Sequence, residues 1–252
     1  METDSEVMKL KTSVLALILV VTSLLANVLD LWKNSEYHAF RIALEISPDP
    51  RMRYEEVYRW KDSKLVRVFV PVEVAWYRNE KGTWNGLRKL KRVPMKILDL
   101  EDIALREVFK VSPEITEFKW GYKVSFETSK GKFTVWLNDK GIPLRIIRRF
   151  HDIEMKMIYE SWDSPPDEDK ILRDYEISDE LAFPESIGRA LSCLDWFYFK
   201  TEDDLVKVRG MVDDRWVEFE ISPVKRNGFV KIGSVYFRTD DKTIMRALMG
   251  ER

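Results

Sequence analysis

Residues 132–146 read Lys132-Phe133-Thr134-Val135-Trp136-Leu137-Asn138-Asp139-Lys140-Gly141-Ile142-Pro143-Leu144-Arg145-Ile146. Phe133, Val135 and Leu137 recur at every second position, which is the period of a half-buried strand. Asn138 to Gly141 then reads as a turn. A glycine at its last position is free to take the positive φ that a type I turn followed by a G1 bulge requires. Leu144, Ile146 and Phe150 resume the alternation on the far side. Two further loops close alike, Asn79-Glu80-Lys81-Gly82 and Thr128-Ser129-Lys130-Gly131. All of them predict antiparallel hairpins, not parallel crossovers.

The same period extends in both directions. Phe40, Ile42, Leu44 and Ile46 alternate with Arg41 and Glu45, so the apolar parity is the expected buried side. Tyr54, Tyr58 and Trp60 start another strand, with a turn at Asp62-Ser63. From Leu65 to Tyr77 one parity holds Val66, Val68, Val70, Val72, Val74 and Trp76, and the other Arg67, Glu73 and Tyr77. Pro71 cannot donate a ladder hydrogen bond, so this run is expected to bend or break there. Further strands are read at Tyr122, Val124 and Phe126, and at Met155, Met157 and Tyr159. One helix interrupts the meander, Asp99 to Lys110, with acids in its first turn and Leu100, Ile103, Leu105 and Val108 on its expected buried side.

Ser161 to Asp169 gathers proline and acid and reads as an exposed linker. A helix from Pro184 to about Leu194 follows. Strands come next near Trp196–Lys200, Leu205–Val212, Trp216–Ile221 and Phe229–Phe237, with a hairpin signal at Asn227-Gly228. A short helix after Thr239-Asp240 ends the chain. The fold class is therefore mainly β (α+β), a long antiparallel meander with a smaller C-terminal α+β segment.

Composition narrows the chemistry. The 252 residues are 45% hydrophobic and 34% charged with a net charge of −1, so no global field draws the chain to nucleic acid. A single cysteine excludes internal disulfides, and two histidines leave little for a metal site. Cys193 sits in Leu191-Ser192-Cys193-Leu194, an apolar context, and is expected to be a buried, inert thiol. There is no glutamine, and the charge is rich in Lys, Arg and Glu, a heat-adapted pattern. Asp99, Glu101 and Asp102 read as helix capping, and Asp213-Asp214 as a turn. Arg88 to Arg92 reads as a solvated basic run, to which Arg145, Arg148 and Arg149 add. No HExxH or phosphate-binding glycine loop occurs. The expectation is a protein that is not an enzyme and uses no cofactor.

Thr12 to Leu29 carries no charge and follows Lys9 and Lys11. A basic start before such an apolar run reads as a signal peptide or signal anchor, giving an extracytoplasmic, secreted or membrane-anchored chain. A buried core helix in an intracellular protein is the competing reading of the same run.

The order of these elements resembles the outer-membrane lipoprotein carrier family, also called lipoprotein-sorting proteins, over roughly residues 23 to 165. The likeness lies in an N-terminal helix leading to Tyr37-His38-Ala39-Phe40, in Glu56-Val57-Tyr58-Arg59-Trp60 and Leu65-Val66-Arg67-Val68, in Glu73 to Trp84, in the helix Asp99 to Lys110, and above all in Lys132 to Ile146. The resemblance implies a curved antiparallel half-barrel sheet closed by helices, with an apolar concave face that binds acyl chains. Together with the readings above, the domains expected are a signal peptide or signal anchor at 1–29, the half-barrel at 30–165 and, outside the resemblance, a small α+β segment at 175–252. The resemblance also assigns the family's early-strand arginine to Arg67 and supplies no catalytic residues. On such a face the lining is expected from Val66, Val68, Val70, Val74 and Trp76, with Tyr122, Val124, Phe126, Met155 and Met157. The partners implied are a hydrophobic or acylated ligand and a membrane through the N-terminal segment, with a protein partner through the C-terminal segment and no nucleic acid. The alternative left open is a structural or protein-interaction module whose face is filled by its own helices.

Overall fold

The structure is a computed structural model that describes residues 26–45, 51–70, 73–95, 98–162, 164–194, 196–202, 205–212 and 215–250. The run Thr12 to Leu29 lies outside the described residues apart from its last four. Helix α1 covers 26–34. It is followed by β1 (Tyr37–Glu45), β2 (Arg51–Arg59), β3 (Lys64–Val70), β4 (Val74–Asn79), β5 (Gly82–Gly86) and β6 (Lys89–Val93). Next come α2 (Leu100–Val108), β7 (Glu114–Phe118), β8 (Gly121–Thr128), β9 (Gly131–Asn138), β10 (Pro143–Phe150) and β11 (Ile153–Trp162). Then follow α3 (Glu168–Leu172), β12 (Glu176–Leu181), α4 (Glu185–Ser192), β13 (Trp196–Glu202) and β14 (Leu205–Val212). The chain ends with β15 (Arg215–Ser222), β16 (Val230–Ile232), β17 (Val235–Thr239) and α5 (Lys242–Met249).

The protein is mainly β, with a large open curved sheet in the order β12-β6-β5-β4-β3-β2-β1-β11-β10-β9-β8-β7 and a second sheet in the order β13-β14-β15-β17-β16. The described strands form no closed barrel. The break expected at Pro71 falls outside the described residues, between β3, which ends at Val70, and β4, which begins at Val74. One pair departs from the antiparallel expectation: β12 runs parallel to β6.

The chain divides into two compact units that interleave in sequence. The first has its described residues within Met1–Lys61, Val68–Pro71 and Leu98–Pro166, and the second within Asp62–Arg67, Val72–Ile97 and Asp167–Arg252.

In the first unit the predicted hairpin at residues 138–141 forms. The Asn138 side-chain oxygen accepts from the Lys140 and Ile142 amides at 3.0 and 2.9 Å. Gly141 sits at φ +77°, where a Cβ would come within 2.5 Å of the Leu31 carbonyl carbon. That close approach lets α1 lie against the turn, with Val28, Leu29 and Trp32 buried. Gly131 likewise has a positive φ. Gly82 does not; its missing side chain instead leaves room for the ring of Trp84 and for Arg92.

The second unit holds its own apolar core. Ile187, Ala190 and Leu191 of α4 pack with Val208, Val217, Phe219 and Phe237 of the small sheet and with Ile244 and Leu248 of α5. The segment read as a strand from Phe229 to Phe237 is two strands, β16 and β17, turning at Gly233. Consequently β15 pairs with β17, and Asn227-Gly228 is a turn that leads into β16 without making a β15–β16 hairpin. Cys193 is exposed at the end of α4, contrary to expectation, because the apolar side of that helix is taken by Ile187, Ala190 and Leu191.

Candidate functional site

Strand pairing in the first unit aligns Ala43, Met157, Ile146, Val135 and Val124 as one row across β1, β11, β10, β9 and β8. The neighbouring row is Met155, Arg148, Phe133 and Phe126. These rows form an apolar face: Val124, Val135, Ile146 and Phe133 are 0% exposed, and Met157 and Phe126 are 7%. Of the predicted lining residues, the structure therefore brings Val124, Phe126, Met155 and Met157 together, with Tyr122 beside Leu137 two positions along. Val68, in the same unit, is buried, whereas Val70 is 42% exposed.

Arg67, Val66, Val74 and Trp76 belong to the second unit. Val66 and Trp76 are buried there, and Val74 is half-buried. Arg67 donates from Nε to the Tyr175 hydroxyl at 2.7 Å and lies over that ring, with Asp174 3.9 Å away. It acts as a tie to the segment before β12.

Helix α2 covers the apolar face of the first unit. Asp99 is its N-cap in a reciprocal capping box with Asp102, each side chain accepting the other's amide at 3.0 Å. The buried side keeps Leu100 and Val108 of the expected apolar stripe but is otherwise different. It consists of Leu100, Glu101, Ala104, Glu107 and Val108, while Ile103 and Leu105 are half-buried.

The acids of α2 explain a second reversal. On β1 the buried parity is Tyr37, Ala39 and Arg41, and Phe40, Ile42 and Leu44 are only half-buried. Arg41, 1% exposed, donates to Glu55 at 2.5 Å, to Asp99 at 2.8 Å and to the Tyr159 hydroxyl at 3.5 Å. Arg59 donates to Glu101 at 2.5 Å, and the Tyr37 hydroxyl donates to the other oxygen of Glu101 at 2.5 Å. Burial pulls the Arg41 guanidinium down, but Glu55 and Asp99 outweigh it and hold it well above the ordinary arginine value. Burial, then the charge of Glu101, pushes Tyr37 and Tyr159 well above the usual tyrosine range. These groups are fixed donors and fixed charges at neutral pH. They hold α2 on the sheet. The sequence did carry one signal for them: Arg41 lies between Ala39 and Ala43 on one parity, and small neighbours leave room for a long side chain.

Arg148 also departs from expectation. It is 2% exposed on the helix-covered face and takes no part in a solvated basic patch. Of the run at Arg88 to Arg92, Lys89 to Arg92 lie on β6 between β5 and β12, and Lys89 and Lys91 pair with Glu176 and Glu180 at 2.6 to 3.7 Å. In the second unit a cleft of about 770 Å³ is lined by Arg78, Arg92 and Arg189 together with Glu80, Asp179 and Glu185. Both signs of charge line it equally. Among the described residues no cluster of three or more His, Cys, Asp or Glu is placed to hold a metal ion, and no helix is long and apolar enough to cross a membrane.

No protein-family model matches the chain, and no curated protein matches it. Among solved structures it is similar to the crystal structure of MucB, with 10% identity over 90% of this chain and 96% of that one at a TM-score of 0.42. A MucA/MucB complex of Pseudomonas aeruginosa matches at 9% identity, over 89% of this chain and 95% of that one, with a TM-score of 0.40. Similarity at this level transfers neither a site nor a partner.

Proposed function

We propose that the chain is a non-enzymatic, extracytoplasmic binding protein whose helix-covered face in the first unit receives a hydrophobic or acylated ligand. The supporting observation is the character of the cover. Two of the five buried residues of α2, Glu101 and Glu107, are carboxylates, yet the helix lies on an apolar face. A nine-residue helix is too short to be stable alone, so its place depends on the ion pairs at its start. An alkyl chain that replaces it gains about 25 cal/mol for each Å² of apolar surface removed from water. The compartment is inferred from the uncharged run Thr12–Leu29 behind Lys9 and Lys11.

The test is lipid extraction of the natively purified protein with mass spectrometry, together with titration of a neutral alkyl probe, dodecanol. Co-purified lipid and saturable dodecanol uptake are expected. Absence of both overturns the reading.

A second reading, an interaction module with a self-filled face, is favoured by the complete burial of Val124, Val135 and Ile146. It would bind through the opposite side of the same sheet, where Met52, Tyr54 and Phe69 are 54%, 39% and 39% exposed. The exclusion of dodecanol would support this second reading.

A further inference from the structure

Arg148 lies on the helix-covered face of the first unit in the row Met155, Arg148, Phe133, Phe126. Its Nε donates to the Lys130 carbonyl at 2.7 Å. Its guanidinium lies 5.7 Å from the Phe133 ring centre and 5.2 Å from that of Phe150. Among the described residues no carboxylate pairs with it. Glu107, the acid whose field it feels, is bound by Lys110. A cation set among phenylalanines that pairs with no carboxylate among the described residues is costly, and a position needed only for packing would be served by Leu or Met. What an arginine adds there is a planar fork of donors suited to a carboxylate or phosphate.

We propose that Arg148 binds the anionic head, carboxylate or phosphate, of an amphiphile whose alkyl chain lies along Phe126, Phe133 and Met155. This rests on the ligand reading above and narrows it to anionic amphiphiles. Burial pushes the Arg148 guanidinium down to about 10, which still leaves it charged at neutral pH. An arriving anion then supplies the partner that the protein withholds.

The experiment is calorimetric titration of the full chain at pH 7.5 with dodecanoate, dodecyl phosphate and dodecanol, each below its aggregation threshold. It uses the wild type, Arg148→Gln, Arg148→Lys and, as a control on the exposed side of the same strand, Arg149→Gln. A charge-assisted pair predicts that at least one anion binds the wild type about tenfold or more tightly than dodecanol. Arg148→Gln brings the ligands to within about threefold, Arg148→Lys retains part of the preference, and Arg149→Gln retains all of it. The anion that shows the preference identifies the head group. Equal binding of all three ligands by the wild type, or a preference that survives Arg148→Gln, overturns this inference and leaves the broader ligand reading standing. Binding of none overturns both. If Arg148→Gln does not fold, the wild-type preference and its reduction in Arg148→Lys decide the matter.

Discussion

Arg41 and Arg148 stand on the same face of the same sheet, 1% and 2% exposed, and their surroundings are opposite. Arg41 meets Glu55, Asp99 and the Tyr159 hydroxyl, so its charge is matched where it is buried. Arg148 meets a carbonyl and two aromatic rings, and among the described residues no carboxylate pairs with it. One end of the face is locked by ion pairs that reach α2, and the other holds a buried cation against aromatic rings. Burial alone therefore does not say whether a charged group stabilises the fold. Its partners decide.

The comparison breaks most visibly at Arg41. Arg41→Met removes the buried cation that Glu55 and Asp99 share and is expected to cost about 3–5 kcal/mol, read as a lower urea midpoint. Glu101→Gln, which removes the charge facing Arg59 while retaining a hydrogen-bond acceptor for Tyr37, is expected to cost less, about 2 kcal/mol. A destabilisation below about 0.5 kcal/mol in either variant would show that α2 is not held by these pairs.

At Arg148 the sign reverses. Depression from the ordinary arginine value to about 10 corresponds to roughly 3 kcal/mol of burial penalty. The lost bond to Lys130 returns about 1 kcal/mol of that. Arg148→Met is thus expected to raise stability by about 2 kcal/mol, and a clear loss of stability would mean that the guanidinium is better partnered than its geometry shows.

A smaller effect appears in alkali. Tyr37 and Tyr159 keep their protons in the folded chain beyond the ordinary value of 10.0, so above that pH the unfolded chain holds fewer protons and stability falls as pH rises. Arg148 works in the opposite sense from about 10 upward, because there the unfolded chain holds the extra proton. The measurement is therefore a series of urea midpoints between pH 9 and 11 in the Arg148→Met background. Tyr159→Phe is expected to make the decline shallower. Smallest of all, Lys91→Ala removes an exposed pair with Glu180 and should leave the midpoint where it is.

The strands, the hairpin at residues 138–141 and the helix opened by Asp99 were legible because each follows from local chemistry. A period of two, a glycine able to take positive φ and an acidic cap all act within a few residues. The buried charges were not legible for the same reason. Arg41 looks like the solvent side of β1 until Asp99 and Glu55 are placed against it, and Glu101 and Glu107 look like the outside of α2. An alternation rule assigns charge to water, and it inverts wherever the partner comes from a distant part of the chain. Cys193 failed in the reverse direction, with apolar neighbours in sequence but an exposed position on the helix.

By itself the sequence determined a mainly β chain with antiparallel hairpins, few groups for metal or disulfide chemistry, and an uncharged N-terminal run. Those properties are written in composition and in spacings of two to four residues. Only the tertiary structure decided which parity of β1 is buried, that α2 sits on the sheet through carboxylates, and that Arg148 pairs with no carboxylate among the described residues. Each of these depends on pairs separated by tens of residues, as Arg41 is from Asp99, and no local period records them.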